Sequence, residues 1–173
     1  MMNEGTELKQ STVMSADVVG YTALMAGDAR GTLSSLLTCF RRIESLVKQF
    51  GGRIVDAPGD NMLIEFPSEV SAVSCAIEVQ RMLEALRQAS SGSALHMRIG
   101  LHSGEALARC GRLYGDPVNI AARLQTAAEP DGILFSETVA KYLPDSMQRT
   151  IEDVGARQYK NVPYTVRTYR ARP

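Results

Sequence analysis

Tryptophan is absent from this sequence, and its 173 residues include only two histidines and three cysteines. Cys39, Cys75 and Cys110 are odd in number and widely spaced. That excludes a disulfide framework and offers no metal-ligand pattern, so all three read as reduced packing residues. Long apolar runs are missing too. None approaches the ~18 residues of a membrane span, and no membrane insertion is expected. Residues 1–9 lack the apolar core of a signal peptide, which makes the cytoplasm the expected location. Neither charge sign is in excess, with 19 Lys+Arg against 19 Asp+Glu. Non-specific nucleic-acid binders carry a basic excess, so no nucleic-acid partner is expected.

What is present suits one globular domain with a real core: 45% hydrophobic and 22% charged residues. Residues 1–11 read as an N-terminal tail and 12–173 as a catalytic or binding domain. With no sensor, linker or repeat in the sequence, it reads as an isolated catalytic or binding domain; excision from a longer parent protein with regulatory domains is the alternative expectation.

Residues 12–19 read as a short buried strand with one acid, Asp17, near its end. Gly20 breaks it, and residues 21–25 can start a helix. Leu33, Leu36, Leu37, Phe40, Ile43, Val47 and Phe50 form an apolar stripe that predicts a helix over 31–50, stopped by Gly51-Gly52. Two apolar segments, 53–56 and 61–66, flank Ala57-Pro58-Gly59-Asp60 and predict a β-hairpin. Next are expected a second helix over 68–88, a polar loop at 90–93 and a second hairpin over 95–110, turning at Ser103-Gly104. A third helix over 117–127, a strand at 132–135, a short helix at 136–142 and strands near 147–153 and 164–171 complete the chain. Hairpins make the sheet largely antiparallel. With helices on one face, the fold class is α+β and ferredoxin-like.

Asp17 ends an otherwise apolar strand, and Asp60 sits at a hairpin tip. If their strands are neighbours, both carboxylates reach one end of the sheet, where they repel unless a cation lies between them. Mg²⁺ suits a few carboxylates together with phosphate oxygens. Taken singly, Asp17 also reads as a helix N-cap and Asp60 as a turn residue. The glycine in Val18-Val19-Gly20-Tyr21-Thr22 opens a helix whose free amides would suit a triphosphate.

Ala16-Asp17-Val18-Val19-Gly20-Tyr21-Thr22, Gly59-Asp60 and Val118-Asn119-Ile120-Ala121-Ala122-Arg123 together resemble the signature segments of the class III adenylate/guanylate cyclase family. The match runs from about Thr12 to the last strand. It implies a homodimer with sites at the interface and two Mg²⁺ or Mn²⁺ ions per site. Asp17 and Asp60, with the Val18 carbonyl, would be the metal ligands. Gly20, Tyr21 and Thr22 would line the triphosphate. From the partner subunit, Asn119 would orient the ribose and Arg123 would stabilise charge on the α-phosphate. Arg98 resembles a phosphate-contacting arginine, and Lys160 a lysine that reaches the triphosphate. Independently, Asn119 and Arg123 are four apart and share one helix face. Read alone, that face is an ordinary exposed polar surface.

Two positions depart from the family. Adenine-reading members carry a lysine and an acid or threonine where this chain has Asp56 and Arg112. An ionised aspartate only accepts and an arginine only donates. The exchanged pair suits the N–H and carbonyl of a keto base, guanine or uracil. The alternatives are that Asp56 and Arg112 pair with each other, or that they fill the base pocket. In the latter case the domain would be a weak or inactive dimerising regulator. His96 and His102 read as structural.

Overall fold

The computed structural model describes residues 5–89 and 95–173, so the polar loop read at 90–93 lies outside the described residues. The chain builds β1 (Glu7–Val18), α1 (Tyr21–Gly27), α2 (Ala29–Gln49), β2 (Arg53–Asp56), β3 (Asn61–Phe66) and α3 (Glu69–Ala89). It continues with β4 (Met97–Arg109), β5 (Arg112–Tyr114), α4 (Asp116–Ala127) and β6 (Ile133–Ser136). The helices α5 (Glu137–Ala140) and α6 (Asp145–Gln148) precede β7 (Ile151–Gln158) and β8 (Thr165–Ala171). One sheet runs in the order β2-β3-β1-β4-β6-β8-β7, with β5 paired to β4. Every pairing is antiparallel except β4 with β6.

The α+β class and the first hairpin stand as read. Three local expectations do not. β4 is one continuous strand that pairs with β1 from Met97 to Ala108, not a hairpin turning at Ser103-Gly104. Ser103 is buried and bonded to Thr12 and Glu69. A Cβ on Gly104 would lie 3.2 Å from Pro117, so this glycine serves close approach rather than a turn. The turn comes later, at Cys110-Gly111, both with positive φ. Cys110 is accordingly exposed, whereas Cys39 and Cys75 pack in the core as expected. The same long ladder extends β1 back to Glu7, well before residue 12. Toward the C-terminus, residues 145–148 are helical and β7 starts at Ile151.

The placement of all helices on one face also needs correction. α2 and α3 cover the face formed by Met14, Ala16, Val18, Ile64, Met97, Ile99 and Leu101. α4 covers the other, where Val13, Ala106, Leu113 and Ala121 cluster. Gly100 makes that possible. A Cβ there would stand 2.1 Å from the Gln125 amide nitrogen and 2.3 Å from the Ala121 carbonyl oxygen. Only glycine lets the helix backbone lie so close to the strand. The α2 stripe is narrower than expected: Leu36, Cys39, Ile43 and Val47 are buried, while Leu33 and Leu37 remain exposed.

His102 is 6% exposed on the α4 face, with Nδ1 2.7 Å from the Ser136 hydroxyl. Desolvation pushes its pKa from 6.5 down to about 4, against the opposing Asp116 carboxylate. A depressed histidine pKa stabilises the fold above the unfolded value, and this contribution is lost as pH falls from 6.5 toward about 4. The melting temperature is expected to fall across that window and His102→Gln to flatten the slope. Parallel slopes for the two proteins would remove this role.

Candidate active site

Asp17 is the penultimate residue of β1, cross-strand from Asn61 on β3 and Arg98 on β4. Gly59, at φ 63, turns the first hairpin so that Asp60 comes back within hydrogen-bonding reach of Asp17. Burial, then the Asp60 charge, raise the Asp17 pKa to about 6, although Arg98 and Gln125 act to lower it. An Arg98 Nη2 stands 3.7 Å from Asp17 Oδ2. Its Nη1 donates to the Thr126 carbonyl at 3.3 Å, and its Nε is buried without a partner. Val18 turns its side chain into the α2/α3 core, so only its backbone faces the acids' end of the sheet. Gly20, in the left-handed region, starts α1, which has no side-chain cap. Tyr21 packs against the core, while Thr22 is exposed.

This donor set can be tested for a metal. Among the described residues no group of three or more His, Cys, Asp or Glu could hold an ion. The two acids face each other, and burial together with the Asp60 charge drives the Asp17 carboxylate toward protonation. A two-carboxylate set fits Mg²⁺, which keeps waters and takes substrate phosphates as further ligands.

The remaining site residues border the α4 face of the sheet, the face that Asp17 and Arg98 also share through Gln125 and Thr126 of α4. Pro117, Ile120, Ala121, Leu124 and Gln125 are the buried residues of α4. Asn119, exposed, and Arg123, half-buried, lie on its outward side. The β7–β8 turn docks on the same helix, since Tyr159 and Val162 cluster with Ile120 and Leu124. That places exposed Lys160 at its tip. Val55 and Leu113 pack together with Val118, which brings their neighbours Asp56 and Arg112 to the margin of one patch. No ion pair joins Asp56 to Arg112 among the described residues; Asp56 accepts from the Ala57 amide at 3.0 Å.

Thus one chain assembles Asp17, Val18, Asp60 and Arg98, but aims Asn119 and Arg123 away from them. One contributor escaped the sequence reading. Gln125, 4% exposed, donates from the inner side of α4 to Asp17 Oδ2 at 3.4 Å. A polar residue inside the apolar stripe of α4 was the available signal.

A family model described as the Adenylate and Guanylate cyclase catalytic domain matches residues 4–170. The chain belongs to this family. A Rhizobium meliloti relative carrying the provisional name adenylate cyclase 3 is 32% identical over 94% of this chain. The adenylate cyclase of Glutamicibacter nicotianae is 30% identical over 74% of it. The chain spans only 28% and 31% of these relatives' lengths. The adenylate/guanylate cyclase/hydrolase structure from Silicibacter pomeroyi superposes with a TM-score of 0.88 at 30% identity, covering 98% of this chain and 99% of that one. The guanylyl cyclase Cya2 shares the fold, with a TM-score of 0.82 at 24% identity over 96% of this chain and 93% of that one. Relatives named adenylate cyclase and a structure titled guanylyl cyclase are thus both similar to this chain, and the fold alone does not choose the base. No described helix is long and apolar enough to cross a membrane.

Proposed function

We propose that this cyclase domain works as a homodimer and closes a nucleoside triphosphate into its 3′,5′-cyclic monophosphate, releasing pyrophosphate. The observation that carries the reading is the split on the sheet, with Asp17 and Asp60 at its end and Asn119 and Arg123 on the outward side of α4. A two-fold dimer would bring each set opposite its complement and make two equivalent sites.

Asp17, Asp60 and the Val18 carbonyl would hold two Mg²⁺ or Mn²⁺ ions. When bound, such ions activate the attacking oxygen and neutralise the leaving phosphates. Arg98, whose side chain is partly exposed beside Asp17, would turn its guanidinium to a phosphate oxygen. The uncapped start of α1, at Gly20, Tyr21 and Thr22, offers backbone amides to the same triphosphate. From the partner, Asn119 would orient the ribose, Arg123 would meet charge growing on the α-phosphate, and Lys160 would reach the polyphosphate. A cytoplasmic setting beside regulatory domains of a longer protein accompanies this reading.

For the base, the reading favours guanine or uracil. Asp56 and Arg112 are not paired to each other, which leaves both available to a keto base. The relatives named adenylate cyclase pull the other way, so product identity decides. The purified domain would be given Mg²⁺ or Mn²⁺ and all four nucleoside triphosphates, and the cyclic products identified by mass spectrometry. A cyclic guanine or uracil product is expected. A cyclic adenine product alone would overturn the base assignment, and no product at any protein concentration would overturn the activity. Combining Asp56→Lys with Arg112→Asp is expected to shift preference toward adenine by about tenfold to a thousandfold. An unchanged product ratio would remove both residues from base reading.

A further inference from the structure

Gln125 lies two residues beyond Arg123, so on a helix of 3.6 residues per turn it points nearly opposite. It is 4% exposed, pressed between α4 and the sheet. The packing that holds it is tight, because α4 sits against Gly100 with no room for a Cβ. Its amide Nε2 donates to Asp17 Oδ2 at 3.4 Å. Arg98 braces the same helix end, bonding Thr126 O while it approaches the same Asp17 oxygen at 3.7 Å. The last turns of α4 therefore grip a metal acid with one side. The other side of the helix carries Asn119 and Arg123.

From this geometry we propose that Gln125 is a positioning residue: it orients the Asp17 carboxylate for the cation and keeps that acid in register with the helix that serves the partner's site. An amide suits the task. It donates without carrying charge, so it fixes one carboxylate oxygen and leaves the negative charge for the ion. A lysine there would compete with the cation, and an apolar side chain would leave the carboxylate free to rotate. Hydrogen bonds behind a metal ligand commonly matter by about tenfold to a hundredfold in affinity or activity. The inference rests on the metal reading of Asp17 and Asp60 given above.

The test is Mn²⁺ binding to the full chain, followed as loss of the free-ion paramagnetic resonance signal. Wild type, Gln125→Met and Asp17→Ala would be compared. Methionine keeps the volume and length of glutamine but cannot donate. Gln125→Met is expected to weaken Mn²⁺ binding by about tenfold with little change in melting temperature. Its cyclase activity should recover as Mn²⁺ is raised, which a purely packing role would not produce. If Asp17→Ala abolishes binding while Gln125→Met binds as wild type, the positioning role fails and the metal reading stands. If Asp17→Ala itself binds as wild type, the metal reading fails. Should Gln125→Met unfold, Gln125→Glu supplies the second arm. It keeps the shape, replaces the donor with a like charge beside Asp17, and is expected to alter Mn²⁺ affinity. Wild-type affinity in that variant would also overturn the proposal.

Discussion

Asp17→Ala is expected to lower cyclic nucleotide formation by about a thousandfold or more, while leaving the domain folded. A metal site supplies several kcal/mol of transition-state stabilisation, and about 1.4 kcal/mol corresponds to tenfold in rate. Asp17 sits beside Asp60, and among the described residues no third His, Cys or acid joins them in a group that could hold an ion. Substitution therefore leaves one carboxylate, too few to hold a pair of ions. Stability should respond differently. Without metal, burial and Asp60 raise the Asp17 pKa to about 6, so at neutral pH its ionised form opposes folding rather than supporting it. Alanine removes that strain, and the metal-free melting temperature should hold or rise. Measuring turnover and melting on the same preparation separates the outcomes. A loss of activity explained by unfolding would remove Asp17 from the metal site.

Mixing two inactive variants, Asp17→Ala and Arg123→Ala, is expected to restore activity. Arg123 occupies the outward side of α4, while Gln125 on the inner side meets Asp17 of its own chain. On the homodimer proposal, Arg123 acts across the dimer interface. A mixed dimer joins the intact Asp17 of one chain to the intact Arg123 of the other, which makes one complete site. Random exchange puts half the chains' dimers in the mixed form, so specific activity should reach about one quarter of wild type. Arg123→Ala alone should cost about a hundredfold to a thousandfold, the scale of removing one charge-stabilising donor. The assay is activity against mixing ratio after exchange has been verified by mass. Exchange without recovered activity would place both residues in the same half-site and overturn the shared-site reading.

Much of the candidate site's geometry was legible in the chain. Asp17 at the end of an apolar strand and Asp60 in a Pro-Gly-Asp turn are local patterns, and neighbouring strands brought them together. The spacing of Asn119 and Arg123 read correctly because a helix face depends only on its period. Other features were not legible. Gly104 looked like a turn because the same residue serves a turn and a close approach, and only Pro117 above it distinguishes them. The side of the sheet that α4 covers cannot be read from its own amphipathic stripe, since both sheet faces are apolar along β1 and β4. The link from Gln125 to Asp17 joins residues far apart in the chain, so no local pattern carries it.

The sequence by itself determined the family, the mixed α+β class, the two acids and the helix that carries Asn119 and Arg123, because motifs and periodicity are properties of neighbours along the chain. The tertiary structure alone decided that β4 runs unbroken, that β6 joins it in parallel, and that α4 crosses the face opposite α2 and α3. Those outcomes depend on which distant surfaces fit at van der Waals distance. The bare Gly100 under α4 settles that fit, and so settles which way Arg123 faces.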